Sequence, residues 1–256
     1  MTDISVGSMK VEDHGRGSAV VMIHGLGGTS NSFQTLISAM EGYRVLRPDL
    51  PGAGRSPLRP GQPGIKGLAA SVRDILKAAG IERAHFVGHS MGTIVCQYLA
   101  ANFPDMVESL TLFGAISEPP AAARTALGER AAAARKEGMA GIAEAIQNAS
   151  VSKGKPVASA FVRESLLRQD PAGYATHCLA LSEVRAVAPE KIGCPTLLIA
   201  GEADPVAPVA MAQEMVKNLP KARLEIIPAV AHWMMVEVPE RSAQLLRAHI
   251  DANNDS

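Results

Sequence analysis

Cysteine is scarce in this 256-residue chain, which has three, Cys96, Cys178 and Cys194, none closely spaced. An odd, scattered set argues against a disulfide framework and fits a reducing compartment. A net charge is also missing: 25 Lys and Arg balance 25 Asp and Glu, and no basic stretch is available to neutralise phosphates. Nucleic acid is therefore not an expected partner. No apolar run approaches the length of a membrane span, and Met1-Thr2-Asp3-Ile4-Ser5-Val6-Gly7 lacks the basic and apolar blocks of a secretion signal. The expectation is a cytoplasmic protein with no membrane partner. His85 and His89 are four apart, but one reads as strand and the other as turn, so helical metal-ligand spacing does not apply and no metal is expected.

Hydrophobic residues make up 47% of the chain and charged residues 20%, ordinary values for a globular protein. The length allows one large α/β domain or two small ones. Segments at 20–23, 43–47, 81–87, 107–113, 195–200 and 222–227 read as strands, the first a short β-branched run and 107–113 an apolar one. Segments with helical spacing at 33–40, 67–79, 91–102, 209–219 and 239–250 lie between or after them. That alternation predicts βα units and a mainly parallel sheet flanked by helices. The continuous apolar runs suit strands covered on both faces.

The stretch 119–186 breaks the rhythm. It holds no convincing strand, and helices are expected over 121–136, 139–149, 156–168 and 171–184, with prolines opening the last two. Gly138 ends or bends the first of them. A helical block between two strands of a parallel sheet reads as a cap over the strands' C-terminal ends, where open α/β sheets bind ligands. The expected organisation is a core of 1–118 and 187–256 with an inserted cap, 119–186.

Chemistry concentrates at Gly88-His89-Ser90-Met91-Gly92, a G-x-S-x-G pattern between a strand and a helix. A serine on such a tight turn is forced into a strained backbone, and the flanking glycines remove Cβ atoms that would clash. The turn lifts the hydroxyl clear of the sheet and aims the free N–H groups of the following helix at its target. Serine needs a base, and the base needs a carboxylate to hold one tautomer. Asp204 in Gly201-Glu202-Ala203-Asp204-Pro205 and His232 in Ala231-His232-Trp233 each follow a strand, in the order Ser…Asp…His. Glu118 is the second candidate acid. Glu202 reads as a solvated turn residue, and His89 as a side chain that packs.

An oxyanion needs preorganised donors. The backbone N–H of Met91 and that of Leu26, in His24-Gly25-Leu26-Gly27-Gly28, are the candidates. That glycine loop lacks the G-x-G-x-x-G spacing of a dinucleotide site. Phe33, Met91, Trp233 and Met234 flank these loops and are expected to project into an apolar pocket.

Together these motifs, with Arg47-Pro48-Asp49-Leu50-Pro51-Gly52-Ala53-Gly54-Arg55-Ser56, resemble the α/β-hydrolase superfamily over nearly the whole chain. The resemblance implies a serine hydrolase of esters or lactones that works without a cofactor, and a structural role for Asp49. Within the superfamily, 134–139 and 172–181 resemble the cap of 3-oxoadipate enol-lactonases, which implies a small substrate bearing carboxylates. Arg124, Arg135 and Arg163 are then the candidate anion partners. A C–C bond hydrolase of aromatic breakdown shares the same three residue types and stays open, as does a non-catalytic receptor on this fold. The N-terminal 4–17 departs from the family, where a short or irregular leading hairpin is expected.

Overall fold

The computed structural model describes residues 2–59, 61 and 64–254. Its centre is an eight-stranded sheet with strands β1 (Thr2–Val6), β2 (Met9–Gly15), β3 (Ala19–Ile23), β4 (Arg44–Pro48), β5 (Ala84–His89), β6 (Val107–Phe113), β7 (Thr196–Gly201) and β8 (Ala222–Ile227). The strand order is β1-β2-β4-β3-β5-β6-β7-β8. The pairs β1/β2 and β2/β4 are antiparallel and the others parallel. Every residue of β3, β5 and β7 is buried, as the continuous apolar runs require of strands covered on both faces.

Helices α1 (Gly64–Ala78), α2 (Met91–Asn102), α7 (Val209–Asn218), α8 (Met234–Glu237) and α9 (Pro239–Asp251) accompany the sheet. Between β6 and β7 lie α3 (Ala121–Glu137), α4 (Ala140–Ser150), α5 (Pro156–Leu167) and α6 (Pro171–Ser182). Among the described residues, no strand interrupts 114–195. Gly138, at φ +78°, closes α3, and Pro156 and Pro171 open α5 and α6 where a missing N–H costs nothing.

One local expectation is corrected. The N-terminal hairpin is regular, pairing Val6 with Met9 through Thr2 with Asp13. Its strand alternation is masked in the sequence because Glu12 is buried against the guanidinium of Arg47 on β4. The segment around 33–40 is a 3₁₀ helix, Ser30–Met40, opened by a capping box between Thr29 and Ser32.

Ile23 aligns with Gly88, Gly88 with Leu112, Phe113 with Ile199 and Gly201 with Ile227. The C-terminal ends of five parallel strands therefore share one edge, and the loops after them meet there. Strand order reverses between β3 and β5, so the loops at His24 and Ser90 flank the switch point where such sheets bind ligands.

Three buried histidines tie elements together. The Nε2 atoms of His89, His177 and His249 lie 3.0, 2.9 and 3.0 Å from the carbonyl oxygens of His232, Pro51 and Leu110. Burial, above all, pushes their pKa values down from the ordinary 6.5, to about 3 for His89 and about 4 for His177 and His249. The unfolded chain thus binds more protons than the native one below pH 6.5. Stability is full above that pH and falls as pH drops toward 4. Each histidine contributes a slope of up to about 1.4 kcal/mol per pH unit, so between pH 8 and 5.5 the three together remove up to about 4 kcal/mol. Urea midpoints at the two pH values check this, with His249→Gln expected to reduce the drop. A flat midpoint overturns it.

Candidate active site

Ser90 follows β5 and precedes α2 with φ +51° and ψ −118°, one of two described non-glycine residues at positive φ. Such a conformation costs on the order of 1–3 kcal/mol and persists only where its surroundings impose it. They do so here: a Cβ on Gly92 would lie 2.1 Å from the Ile23 carbonyl oxygen, and one on Gly88 would lie 2.7 Å from the Thr93 nitrogen. The Ser90 N–H is held by the Phe113 carbonyl at 3.0 Å, and the Ser90 carbonyl accepts from Thr93 Oγ1 at 2.6 Å. The Met91 N–H is the first of α2 and by helix geometry lacks an intrahelical acceptor.

Asp204, after β7, and His232, after β8, are both buried. His232 Nδ1 lies 2.7 Å from Asp204 Oδ2. Asp204 Oδ1 accepts from the N–H groups of Val206 at 2.8 Å and Ala207 at 3.0 Å. Burial works against the Asp204 charge, but the His232 partner and those two N–H groups outweigh it and hold the carboxyl below the usual range. An ionised carboxylate only accepts, so Nδ1 carries the hydrogen and Nε2 is left as the basic nitrogen.

Ser90, His232, Leu26 and Trp233 border one cavity of about 730 Å³, which α3 and α4 also line. Its walls are mostly apolar, with Ile116, Leu127, Ile142 and Ile146 among them. That volume is in the range of small-molecule sites.

Several pocket expectations are corrected. Phe33, Met91 and Met234 are fully buried in the core and do not line the cavity. Arg124 is engaged by Glu118 and by the carbonyls of Ser182 and Val184. Arg135 is exposed and outside the lining, and Arg163 is exposed beside Glu164. Among the described residues the one Lys or Arg in the lining is Arg130. Helix α3 carries Arg124, Arg130 and Arg135 in one alanine-rich run, and nothing in that pattern marks out the one that borders the cavity. Arg130 sits close enough to Tyr174 for its charge to oppose the rise in the tyrosine's pKa that burial causes. Glu118 is engaged by Arg124, Arg185 and the Ala186 N–H, and the carboxylate bonded to His232 is that of Asp204. Glu202 is exposed and accepts from the Ala229 N–H at 3.0 Å.

Other residues shape the site without a sequence signal. Buried Glu237 accepts from the N–H groups of Ala231 at 3.3 Å and Trp233 at 3.1 Å, on either side of His232. The Ser150 carbonyl accepts from the His232 N–H at 3.1 Å, and Ser150 Oγ accepts from Trp233 Nε1 at 3.0 Å. Asp49 accepts from the Ser30 N–H at 2.7 Å and from Arg55 Nε at 2.7 Å, a structural engagement next to the glycine loop.

A mainly parallel sheet carrying a strained serine turn, with a carboxylate–histidine pair at the same edge, defines an α/β-hydrolase architecture. The chain belongs to the alpha/beta hydrolase fold family, whose sequence profile matches residues 18–239. It is 29% identical over 252 residues to 3-oxoadipate enol-lactonase 1 of Acinetobacter baylyi, covering 95% of this chain and 92% of that one. It is 26% identical over 265 residues to a 2-hydroxy-6-oxononadienedioate/2-hydroxy-6-oxononatrienedioate hydrolase of a Pseudomonas species, covering 94% and 90%. A thermophilic esterase from Thermogutta terrifontis, solved with malate bound, superposes with a TM-score of 0.91 at 25% identity, covering 96% and 94%. No described helix is long and apolar enough to cross a membrane.

Proposed function

We propose that this protein is a serine hydrolase that cleaves a small carboxylic ester or lactone through an acyl-enzyme on Ser90, with α3–α6 as the cap over the site. The observation that carries the reading is the 2.7 Å contact of buried Asp204 with His232, which borders the same cavity as the strained Ser90. Ser90 Oγ attacks the carbonyl carbon while His232 Nε2 takes its proton. The carbonyl oxygen becomes an oxyanion, held by the N–H groups of Leu26 and Met91. Asp204 stabilises the imidazolium and keeps it oriented. His232 then gives the proton to the leaving alkoxide, the C–O bond breaks, and water attacks the acyl-enzyme by the same steps. In a lactone the alcohol stays tethered, so water must compete with re-closure.

The test is a panel of esters and lactones, with Ser90→Ala as control and fluorophosphonate labelling located by mass spectrometry. An adduct on Ser90 is expected; turnover without one counts against the reading. The similarity to the dienedioate hydrolase favours a second reading, hydrolysis of a C–C bond in a dienol ketone, so the panel includes such a ketone.

Arg130 favours an anionic substrate, although Glu129 and Glu137 border the same cavity. Arg130→Met is expected to lower kcat/KM for a carboxylate-bearing ester by about tenfold or more, from the lost charged hydrogen bond, and to spare its neutral analogue. Equal losses on both remove the case for an anionic substrate.

A further inference from the structure

The glycine loop after β3 is gripped by the helices inserted between β6 and β7. Ser165 Oγ donates to the Gly27 carbonyl at 2.7 Å. Gln169 Nε2 lies 3.2 Å from the same oxygen, 3.4 Å from the Gly28 carbonyl and 2.9 Å from the Ser165 carbonyl. Both side chains are buried, yet neither lines the 730 Å³ cavity. The contact is tight: Gly27 has φ +75°, and a Cβ on it would lie 2.3 Å from Leu166 Cδ2.

The grip leads to a single peptide unit. The Gly28 N–H donates to the Gly25 carbonyl at 3.0 Å, and His24 Nδ1 lies 2.8 Å from the same oxygen. His24 Nε2 accepts from the Leu50 N–H at 3.0 Å, so Nδ1 carries the hydrogen. The Gly25 carbonyl and the Leu26 N–H belong to one planar trans peptide and point in opposite directions. Fixing the carbonyl aims the N–H.

We propose that Ser165 and Gln169 are positioning residues that hold the Gly27–Gly28 backbone so that the Leu26 N–H faces the oxyanion. This rests on the serine-hydrolase reading for its kinetic consequence, though not for its structural one. Seating of the inserted helices is thereby coupled to assembly of the oxyanion site. A ligand reaches neither side chain from the cavity, so their loss acts on kcat rather than on substrate binding.

Two measurements test it in the full chain. In the first, Gln169→Met and the double variant Ser165→Ala/Gln169→Met are compared with wild type on the best ester of the panel. We expect kcat to fall about tenfold in the single variant and about a hundredfold in the double, a fraction of what losing a whole oxyanion donor costs, with KM nearly unchanged. Affinity for a trifluoromethyl ketone, whose adduct carries the oxyanion, falls in step with kcat/KM, while affinity for the product acid does not. Ser165→Thr, which keeps the hydroxyl, stays near wild type. In the second, hydrogen exchange of peptides covering 24–28 is followed in the same variants. Exchange accelerates there in the double variant, whereas 84–89 in β5 is unchanged. Unaltered exchange at 24–28 overturns the clamp even if the wild type hydrolyses nothing. Altered exchange with unchanged kcat overturns the oxyanion role. A wild type that fluorophosphonate does not label defeats the hydrolase reading and leaves the exchange result to decide the clamp. Gln169→Met alone, nearly isosteric, serves if the double variant does not fold.

Discussion

Ser90→Ala is expected to lower kcat by roughly 10³-fold or more while the protein stays folded. The loss is large because, in the proposed mechanism, the substitution removes the atom that forms the covalent bond, and the proposed oxyanion donors and pocket contacts supply only the residual rate. The fold survives because the turn is imposed from outside the side chain, by the close approach of Gly92 to the Ile23 carbonyl and by the bond from the Ser90 N–H to Phe113. Alanine keeps that N–H and the carbonyl that accepts from Thr93. Circular dichroism and a urea midpoint near the wild-type value would therefore accompany the lost turnover. Near-full activity in Ser90→Ala, or a fluorophosphonate adduct on another residue, sinks the assignment of the nucleophile.

The parts of the molecule that are legible in the sequence are those governed by local chemistry. The strand 107–113 is marked by an apolar run and 222–227 by alternating apolar and charged residues, and the inserted helices by prolines and glycine at their ends. The serine turn is legible because its geometry demands glycine at fixed offsets. The residues that line the cavity are not, since lining depends on how far each helix rotates against its neighbours. Arg124 and Arg130 lie six apart on α3, yet the first is engaged by Glu118 and backbone carbonyls and the second borders the cavity. Phe33 and Met234 are close in sequence to site loops but pack into the core. The hairpin at the N-terminus escapes for a related reason: Glu12 is buried only because Arg47, far along the chain, meets it. Glu237 and Ser150 hold the loop around His232 through backbone hydrogen bonds, a role that no residue pattern announces.

Asp204→Asn is expected to cost up to about 10⁴-fold in kcat, an effect on the scale of losing the nucleophile, because the variant alters a tautomer and spares the shape. In the protein as it stands, Asp204 Oδ2 accepts from His232 Nδ1, while Oδ1 accepts from Val206 and Ala207. Those two backbone donors require an oxygen at the Oδ1 position. An asparagine therefore keeps its carbonyl there and turns its NH₂ toward His232. Two donors cannot face each other, so Nδ1 must give up its hydrogen and accept, which moves the hydrogen to Nε2 and removes the base proposed for Ser90. Raising the pH cannot restore it, since the tautomer and not the charge is wrong. Glu118→Gln serves as the comparison: its carboxylate binds Arg124, Arg185 and the Ala186 N–H, so its loss is expected to loosen the start of the inserted helices and to leave kcat within a few-fold of wild type. Both variants are measured under single-turnover conditions, where release of product does not mask the acylation step. A large effect at Glu118 with a small one at Asp204 would place the acid after β6 and overturn the assignment of Asp204.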